Sequence, residues 1–245
     1  MLSTAPEARC VDSRQQSLAE LGEIASRMAH EIRNPLNAIR MQVAVIRNKL
    51  ARPDPDNLNV ARGQLARLEQ EILRVEKLTK AFLEFCRSPA DEPEDVPLAE
   101  LVEDVAALIR PECDERGIEL IVQRGADTAR LCVYADRSKL KQVFMNMLAN
   151  ARSAITAPGR VTLPVARYGD REVSVQVRDT GCGISSEVMP HIFAPFFSTR
   201  GDGEGLGLAI VKKIIEGAGG FLQVESRVGE GTSFRVILSA KAATD

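Results

Sequence analysis

From Gln16 to Leu50 the apolar residues fall at Leu18, Leu21, Ala25, Met28 and Ile32, then at Leu36, Ile39, Val43, Ile46 and Leu50. Alternating steps of three and four hold an apolar stripe on one side of a helix, and over several turns they make a coiled-coil seam. The two halves join through an extra step of four beside Pro35, whose ring and missing N–H predict a bend there. After a break at R-P-D-P-D-N, Arg52 to Asn57, a second seam runs through Ala61, Leu65, Leu68, Ile72, Val75, Thr79, Phe82 and Cys86. Two long helices joined by a short turn form an antiparallel hairpin. One hairpin cannot bury both sides of such stripes, so a homodimer closing a four-helix bundle is expected.

Beyond Cys86 the periodicity changes. S-P-A-D-E-P-E-D-V-P is rich in proline and acid and reads as a linker. The expected layout is an N-terminal tail over 1–14, the hairpin over 15–88, a linker over 89–96 and a second domain over 97–245. In that domain a helix is predicted over Leu98 to Arg116, stopping at Gly117, with strands at I-E-L-I-V and L-C-V-Y-A. A helix follows from Arg137 to Ile155, and V-T-L-P-V-A-R-Y and E-V-S-V-Q-V-R form a hairpin across Gly169 and Asp170. A third helix over Leu206 to Gly217 precedes strands at F-L-Q-V-E-S and S-F-R-V-I-L-S. The expected class is α+β: a helical hairpin forming a dimeric bundle, then an α/β sandwich whose mixed sheet carries helices on one face.

Composition excludes several classes of function. The chain is 44% hydrophobic and 27% charged, an ordinary globular balance. Its apolar runs fall short of the ~20 residues a membrane-spanning helix needs, and M-L-S-T-A-P-E-A-R-C has no secretory pattern. A net charge of -2 gives no footprint for nucleic acid. Five scattered cysteines, odd in number, predict reduced thiols in the cytoplasm. With no C-x-x-C pair and only 2 histidines, a structural zinc site is not expected.

Met28 and Ile32 lie in the seam, and two helical steps of about 100° place His30 opposite both. An isolated histidine there would be a solvated side chain. Glu31 follows it, however, and a carboxylate beside an imidazole can hold one ring nitrogen and leave the other nucleophilic. The run M-A-H-E-I-R-N-P-L resembles the phosphoacceptor box of sensor histidine kinases. The resemblance implies that His30 accepts the γ-phosphoryl group of ATP and that Glu31 is the base that activates it. Asn34 lies one turn further on the same face. Family members with Thr or Asn there dephosphorylate their response regulator, and helix-breaking chemistry before Pro35 is a second, compatible reading.

Further on, Asn146 and Asn150 in N-M-L-A-N-A form an i, i+4 pair of amides on an otherwise apolar helix, expected to be buried and to need partners. V-R-D-T-G-C-G-I puts Asp179 at a strand end, followed by Gly181 and Gly183, which permit close backbone approach. G-D-G-E-G-L-G-L-A-I sets a glycine-rich loop at a helix start, where free N–H groups favour phosphate. In this order the three resemble the asparagine box and two glycine boxes of the ATPase fold shared by histidine kinases, DNA gyrase, MutL and the heat-shock chaperones. The resemblance implies ATP and Mg²⁺ as cofactors, with Asn150 on the metal and Asn146 beside it. Asp179 would read adenine with help from Thr232 of G-E-G-T-S-F, and Gly203, Gly205, Leu206 and Gly207 would line the phosphates. H-I-F-A-P-F-F-S-T-R is similar to the family's phenylalanine box, with Phe193, Phe196 and Phe197 as apolar anchors of a lid. Arg200 is either a γ-phosphate contact or a solvated loop arginine, and His191 reads as structural or solvated.

Two departures stand out. Hydrolytic members of the superfamily carry a glutamate where Asn146 stands, so this site lacks their water-activating base. Many members carry a basic residue at the place of Ser153, so no phosphate contact is assigned there, although Arg152 is adjacent. The implied function is a sensor histidine kinase that passes phosphate from His30 to an aspartate of a response regulator receiver domain, with phosphatase activity toward that regulator. No sensory domain is recognisable, so input is expected from a separate protein or from a sensor segment outside this sequence. Two rivals have distinct signatures. A dimeric scaffold would bind nucleotide without forming acid-labile phosphoprotein, and a gyrase-type ATPase would keep turning over after His30→Ala.

Overall fold

The computed structural model describes residues 7–52, 54–86, 92–125, 128, 131–156, 158–200 and 205–242. Two compact units emerge, one dominated by the N-terminal helices and one by the remainder.

The first unit is the hairpin of α1 (Glu7–Leu50) and α2 (Pro55–Cys86). Its turn is built for the reversal. Asp54 Oδ1 accepts the Asn57 N–H at 2.8 Å, and the Asn57 amide donates to the Arg52 carbonyl at 2.8 Å. Asp54 thereby caps α2, with Pro55 at the first helical position, where its missing N–H costs nothing. Helix α1 runs uninterrupted through Pro35, which is buried. Ile46 of α1 and Ala61, Leu78 and Phe85 of α2 are buried. Leu36, Val43 and Leu50 on α1, and Leu58, Leu65 and Ile72 on α2, remain exposed. The side chains of Leu18 and Leu21 lie outside the described residues.

The second unit combines β1 (Glu94–Pro97), α3 (Leu98–Asp114), β2 (Ile118–Arg124), β3 (Leu131–Ala135), α4 (Arg137–Ala154), β4 (Gly159–Tyr168), β5 (Glu172–Asp179), α5 (Gly207–Gly217), β6 (Phe221–Arg227), β7 (Gly231–Ser239) and β8 (Lys241–Ala242). The main sheet has the order β2-β4-β5-β7-β6. It is mixed as expected, with β2 parallel to β4 and the other pairs antiparallel. The β4–β5 hairpin turns at Gly169, whose φ of 67° is a left-handed value that favours glycine.

One feature departs from expectation. Strand β3 pairs with β1 and β8 in a separate three-stranded sheet. Glu94–Pro97, within the stretch read as linker, is therefore a strand. Its Val96 is wholly buried in the core, and that burial together with pairing to β3 outweighs a local pattern of acid and proline. The alternating valines of β4 and β5 face a core filled by α3 and α4, with Phe144, Met147 and Leu148 of α4 fully buried. Among the described residues no helix is long and apolar enough to cross a membrane.

Helix α4 carries both asparagines and is held at its start by Asp136, which accepts from the N–H groups of Ser138 at 2.8 Å and Lys139 at 3.1 Å. Burial opposes the charge of Asp136. The Ser138 hydroxyl and the backbone N–H groups of Lys139, Glu92 and Ser138 outweigh that opposition and hold the carboxyl below its usual range. A carboxyl depressed by folding contributes stability above its unfolded pKa and loses it as pH falls through the folded one. Asp136→Ala should destabilise the unit by about 1 kcal/mol at neutral pH. In urea unfolding followed by circular dichroism, the difference should shrink as the pH drops below the carboxylate range; a constant difference would refute the charged cap.

Candidate functional site

On α1, His30 and Asn34 are exposed and one turn apart, Glu31 is half-buried, and Pro35 is buried. The helix thus turns the imidazole to solvent while the proline side packs inward.

In the second unit the decisive side chain is Asp179, at the end of β5 and only 4% exposed. Its Oδ1 accepts the Gly181 N–H at 2.8 Å and the Thr232 N–H at 3.3 Å. Both donors depend on missing side chains. A Cβ on Gly181 would come within 2.7 Å of Ala154, and one on Gly231, which has φ 117°, within 2.0 Å of the Asp179 carbonyl oxygen. Gly183 (φ 71°) would collide with the Arg227 carbonyl in the same way. The Cys182 N–H donates to the Ala154 carbonyl at 3.0 Å, so this turn is tied to the C-terminal end of α4.

Thr232 is buried on β7, between Asp179 of β5 and Ser226 of β6, with which it pairs in register. Ser226 Oγ lies 2.9 Å from Thr232 Oγ1 and 2.9 Å from the Gly231 carbonyl, and accepts the Ile184 N–H at 2.8 Å. Sequence reasoning missed Ser226. Its contacts come from the neighbouring strand β7 and from a loop some forty residues earlier in the chain, and only its position in E-S-R-V-G-E-G-T hints at them.

The asparagines are half-buried, not buried as expected. Asn146 Nδ2 donates to the Gly207 carbonyl at 3.3 Å. No hydrogen bond from the Asn150 amide to a described residue is found. Helix α5 begins at Gly207 after the fully buried Leu206, and no side chain caps it. Among the described residues no side chain takes its first N–H groups, which have no partner within the helix, an arrangement that suits an anion.

Gly205 (φ 67°) lies against the Phe196–Phe197 backbone, where a Cβ would meet Phe196 at 2.4 Å. Phe196 itself has φ 61°, a left-handed conformation costly for a bulky residue and typical of functional segments. Phe193, Phe196 and Phe197 are half-buried, and Lys212 Nζ sits 5.9 Å from the Phe193 ring centre. His191 is exposed, with its ring 5.7 Å from that of Phe197. Arg200 is half-buried, and its N–H bonds the Ser198 hydroxyl at 3.1 Å. Gly203 lies outside the described residues. Helix α4 joins the clusters: Ala154 touches the Asp179 turn and Asn146 holds Gly207, about 12 Å apart along the axis at 1.5 Å per residue.

Residues 20–90 match the model of the His Kinase A (phospho-acceptor) domain, and residues 135–242 match that of the histidine kinase-, DNA gyrase B- and HSP90-like ATPase. The signal transduction histidine-protein kinase AtoS of Escherichia coli (strain K12) is 34% identical over 226 residues, covering 92% of this chain and 36% of AtoS. The sensor histidine kinase ZraS of Klebsiella oxytoca is 34% identical over 226 residues, covering 92% of this chain and 47% of ZraS. A crystal structure of histidine kinase ThkA in complex with response regulator protein TrrA superposes with a TM-score of 0.75 at 30% identity, covering 97% of this chain and 67% of that one. The chain belongs to the histidine kinase family. It spans between about a third and a half of AtoS and ZraS.

In this chain the glycines of the turns next to Asp179 are structural requirements of different severity. Gly231→Ala drives a Cβ into the Asp179 carbonyl and should cost about 3 kcal/mol or more, whereas Gly229→Ala, with φ 80° but open space around it, should cost only about 1 kcal/mol. Thermal unfolding of both variants checks the contrast; equal shifts would mean that the close approach at Gly231 relaxes freely.

Proposed function

We propose that this chain is the catalytic core of a sensor histidine kinase that transfers the γ-phosphoryl group of ATP to His30 and from there to an aspartate of a response regulator receiver domain. The observation that carries this reading is an exposed His30 with half-buried Glu31 beside it on α1, in a chain whose nucleotide-type site has an amide, Asn146, in place of a water-activating acid. The bond from phosphorus to the ADP oxygen breaks as one forms to an imidazole nitrogen of His30, and the displaced imidazole proton passes to Glu31. Positioning and charge neutralisation carry most of such a step.

In this reading Asp179 accepts from the adenine amino group with Thr232 beside it, and the N–H groups after Gly203, Gly205, Leu206 and Gly207 face the phosphates. Phe193 and Phe197 would anchor the segment leading to Arg200, whose guanidinium would contact phosphate. Gly181 and Gly183 allow the backbone to pass close to the base. Asn150 suits Mg²⁺: its amide oxygen is a hard donor, and nucleotide-bound Mg²⁺ takes most of its ligands from phosphate and water. The metal, when bound, neutralises phosphate charge. Asn34, one exposed turn after His30, would orient a water for dephosphorylation of the regulator. A cytoplasmic location and a sensory input from outside these residues belong to the same proposal.

The exposed stripes favour a homodimer. Leu36, Val43 and Leu50 repeat every seven residues, as do Leu58, Leu65 and Ile72, the spacing that a second helical hairpin buries. Leu65→Glu combined with Ile72→Glu should convert a dimer to monomer in sedimentation equilibrium; a wild type that is already monomeric would sink the dimer.

Incubation with γ-labelled ATP and Mg²⁺ tests the kinase reading. Wild type should acquire acid-labile, base-stable label. His30→Ala should lose it entirely, and Asp179→Asn should weaken ATP binding by roughly 10- to 100-fold through loss of a charged hydrogen bond. Asn34→Ala should keep the label while slowing regulator dephosphorylation. Label persisting in His30→Ala refutes the proposal.

A further inference from the structure

Across the ends of β5, β7 and β6, the side chains of Asp179, Thr232 and Ser226 stand in adjacent register. Counting hydrogens on this row determines its polarity. The Gly231 carbonyl, 2.9 Å from Ser226 Oγ, can only accept, so the Ser226 hydroxyl hydrogen points to it. The Ile184 N–H occupies one lone pair of Ser226 Oγ. The remaining 2.9 Å contact, to Thr232 Oγ1, is then a bond in which Thr232 donates. With its one hydrogen committed to Ser226, Thr232 offers only lone pairs elsewhere, and Asp179 beside it is an acceptor as well.

We propose that Ser226 is a positioning residue for purine recognition: it holds the Thr232 hydroxyl hydrogen away from the site, so that Asp179 and Thr232 together present acceptors only. This rests on the reading of the second unit as an ATP site. An acceptor-only corner favours a 6-amino purine, directly or through a water that donates to Thr232, and disfavours a 6-oxo purine, whose carbonyl oxygen would face two acceptors. A site whose buried polar groups are already oriented rejects a mismatched ligand more strongly than an apolar pocket does. Ser226 also ties Ile184, just after Gly183, to the β6–β7 turn, so one hydroxyl fixes both the loop and the hydrogen-bonding sense of Thr232.

The test is the ratio of affinities for ATP and inosine 5′-triphosphate, measured by titration calorimetry with Mg²⁺ on the whole chain. Wild type should prefer ATP. Ser226→Ala releases the Thr232 hydroxyl to turn its hydrogen toward a 6-oxo group, and the preference should narrow by about tenfold, the scale of one hydrogen bond. Ser226→Thr, which keeps a hydroxyl, should restore the wild-type ratio. In a Thr232→Val background, Ser226→Ala should leave the ratio unaltered, because the group it orients is gone. Should Ser226→Ala fail to fold, Ser226→Cys, similar in shape but a weak acceptor, makes the same comparison. An unchanged ratio in the folded variant, or effects of the two substitutions that simply add, overturns the proposal while leaving the ATP site intact. Failure of wild type to bind ATP overturns the nucleotide reading and this inference with it.

Discussion

A carboxylate kept almost entirely out of water governs the local architecture of the second unit. Burying Asp179 is costly unless donors meet it. The two that bond Oδ1 are backbone N–H groups from separate segments, one just beyond the end of β5 and one from β7. Backbone donors can converge so closely only where side chains are missing, hence Gly181 pressed on Ala154 and Gly231 pressed on the Asp179 carbonyl. The glycines that look in sequence like a flexible loop are the rigid surroundings of one acid. A buried acid met by fixed donors is held in one orientation, which is what the proposed reading of a ligand edge requires.

The same economy extends along α4. One face of this helix is fully apolar and anchors it in the core through Phe144, Met147 and Leu148. The other holds the half-buried amides. Asn146 spends a donor on the Gly207 carbonyl, which fixes the start of α5 without capping it. A side-chain cap would satisfy the first N–H groups internally; Leu206, buried and without a polar atom to offer, leaves them available. Rigidity here comes from apolar burial of a neighbour and one amide bond, and no described side chain takes the donors.

Much of this was legible in the sequence. Steps of three and four defined both hairpin helices, and the break at R-P-D-P-D-N marked the turn between them. The main strands and the order of the motif residues also followed from pattern. The small sheet did not. A four-residue strand such as Glu94–Pro97 and a two-residue one such as Lys241–Ala242 are too short for a period to show, and Val96 is buried because β3 lies beside it, not because of its neighbours in sequence. Ser226 escaped notice for a related reason: a serine in a strand has no local signature, and its significance arises only when three strands align. The left-handed Phe196 was equally hidden, because nothing in its residue type announces that conformation; it is imposed where Gly205 packs against the Phe196–Phe197 backbone.

The proposed chemistry places opposed demands on its parts, and the chain separates them. Reading a base favours a buried acid with immobile donors, because specificity grows when unsatisfied groups are expensive. A nucleophile that takes a phosphoryl group and then yields it to a second protein must instead be accessible to two partners in turn, which a buried imidazole could not be. Asp179 at the end of an internal strand and His30 on the open face of a long helix meet these demands in different units. An amide at position 146 fits the same division, since it cannot take a proton from water and so leaves activation of the acceptor to Glu31, beside the histidine itself. Proton removal is thereby tied to the nucleophile instead of to the nucleotide site, and bound ATP without the histidine in place has no nearby base from this helix to promote its hydrolysis.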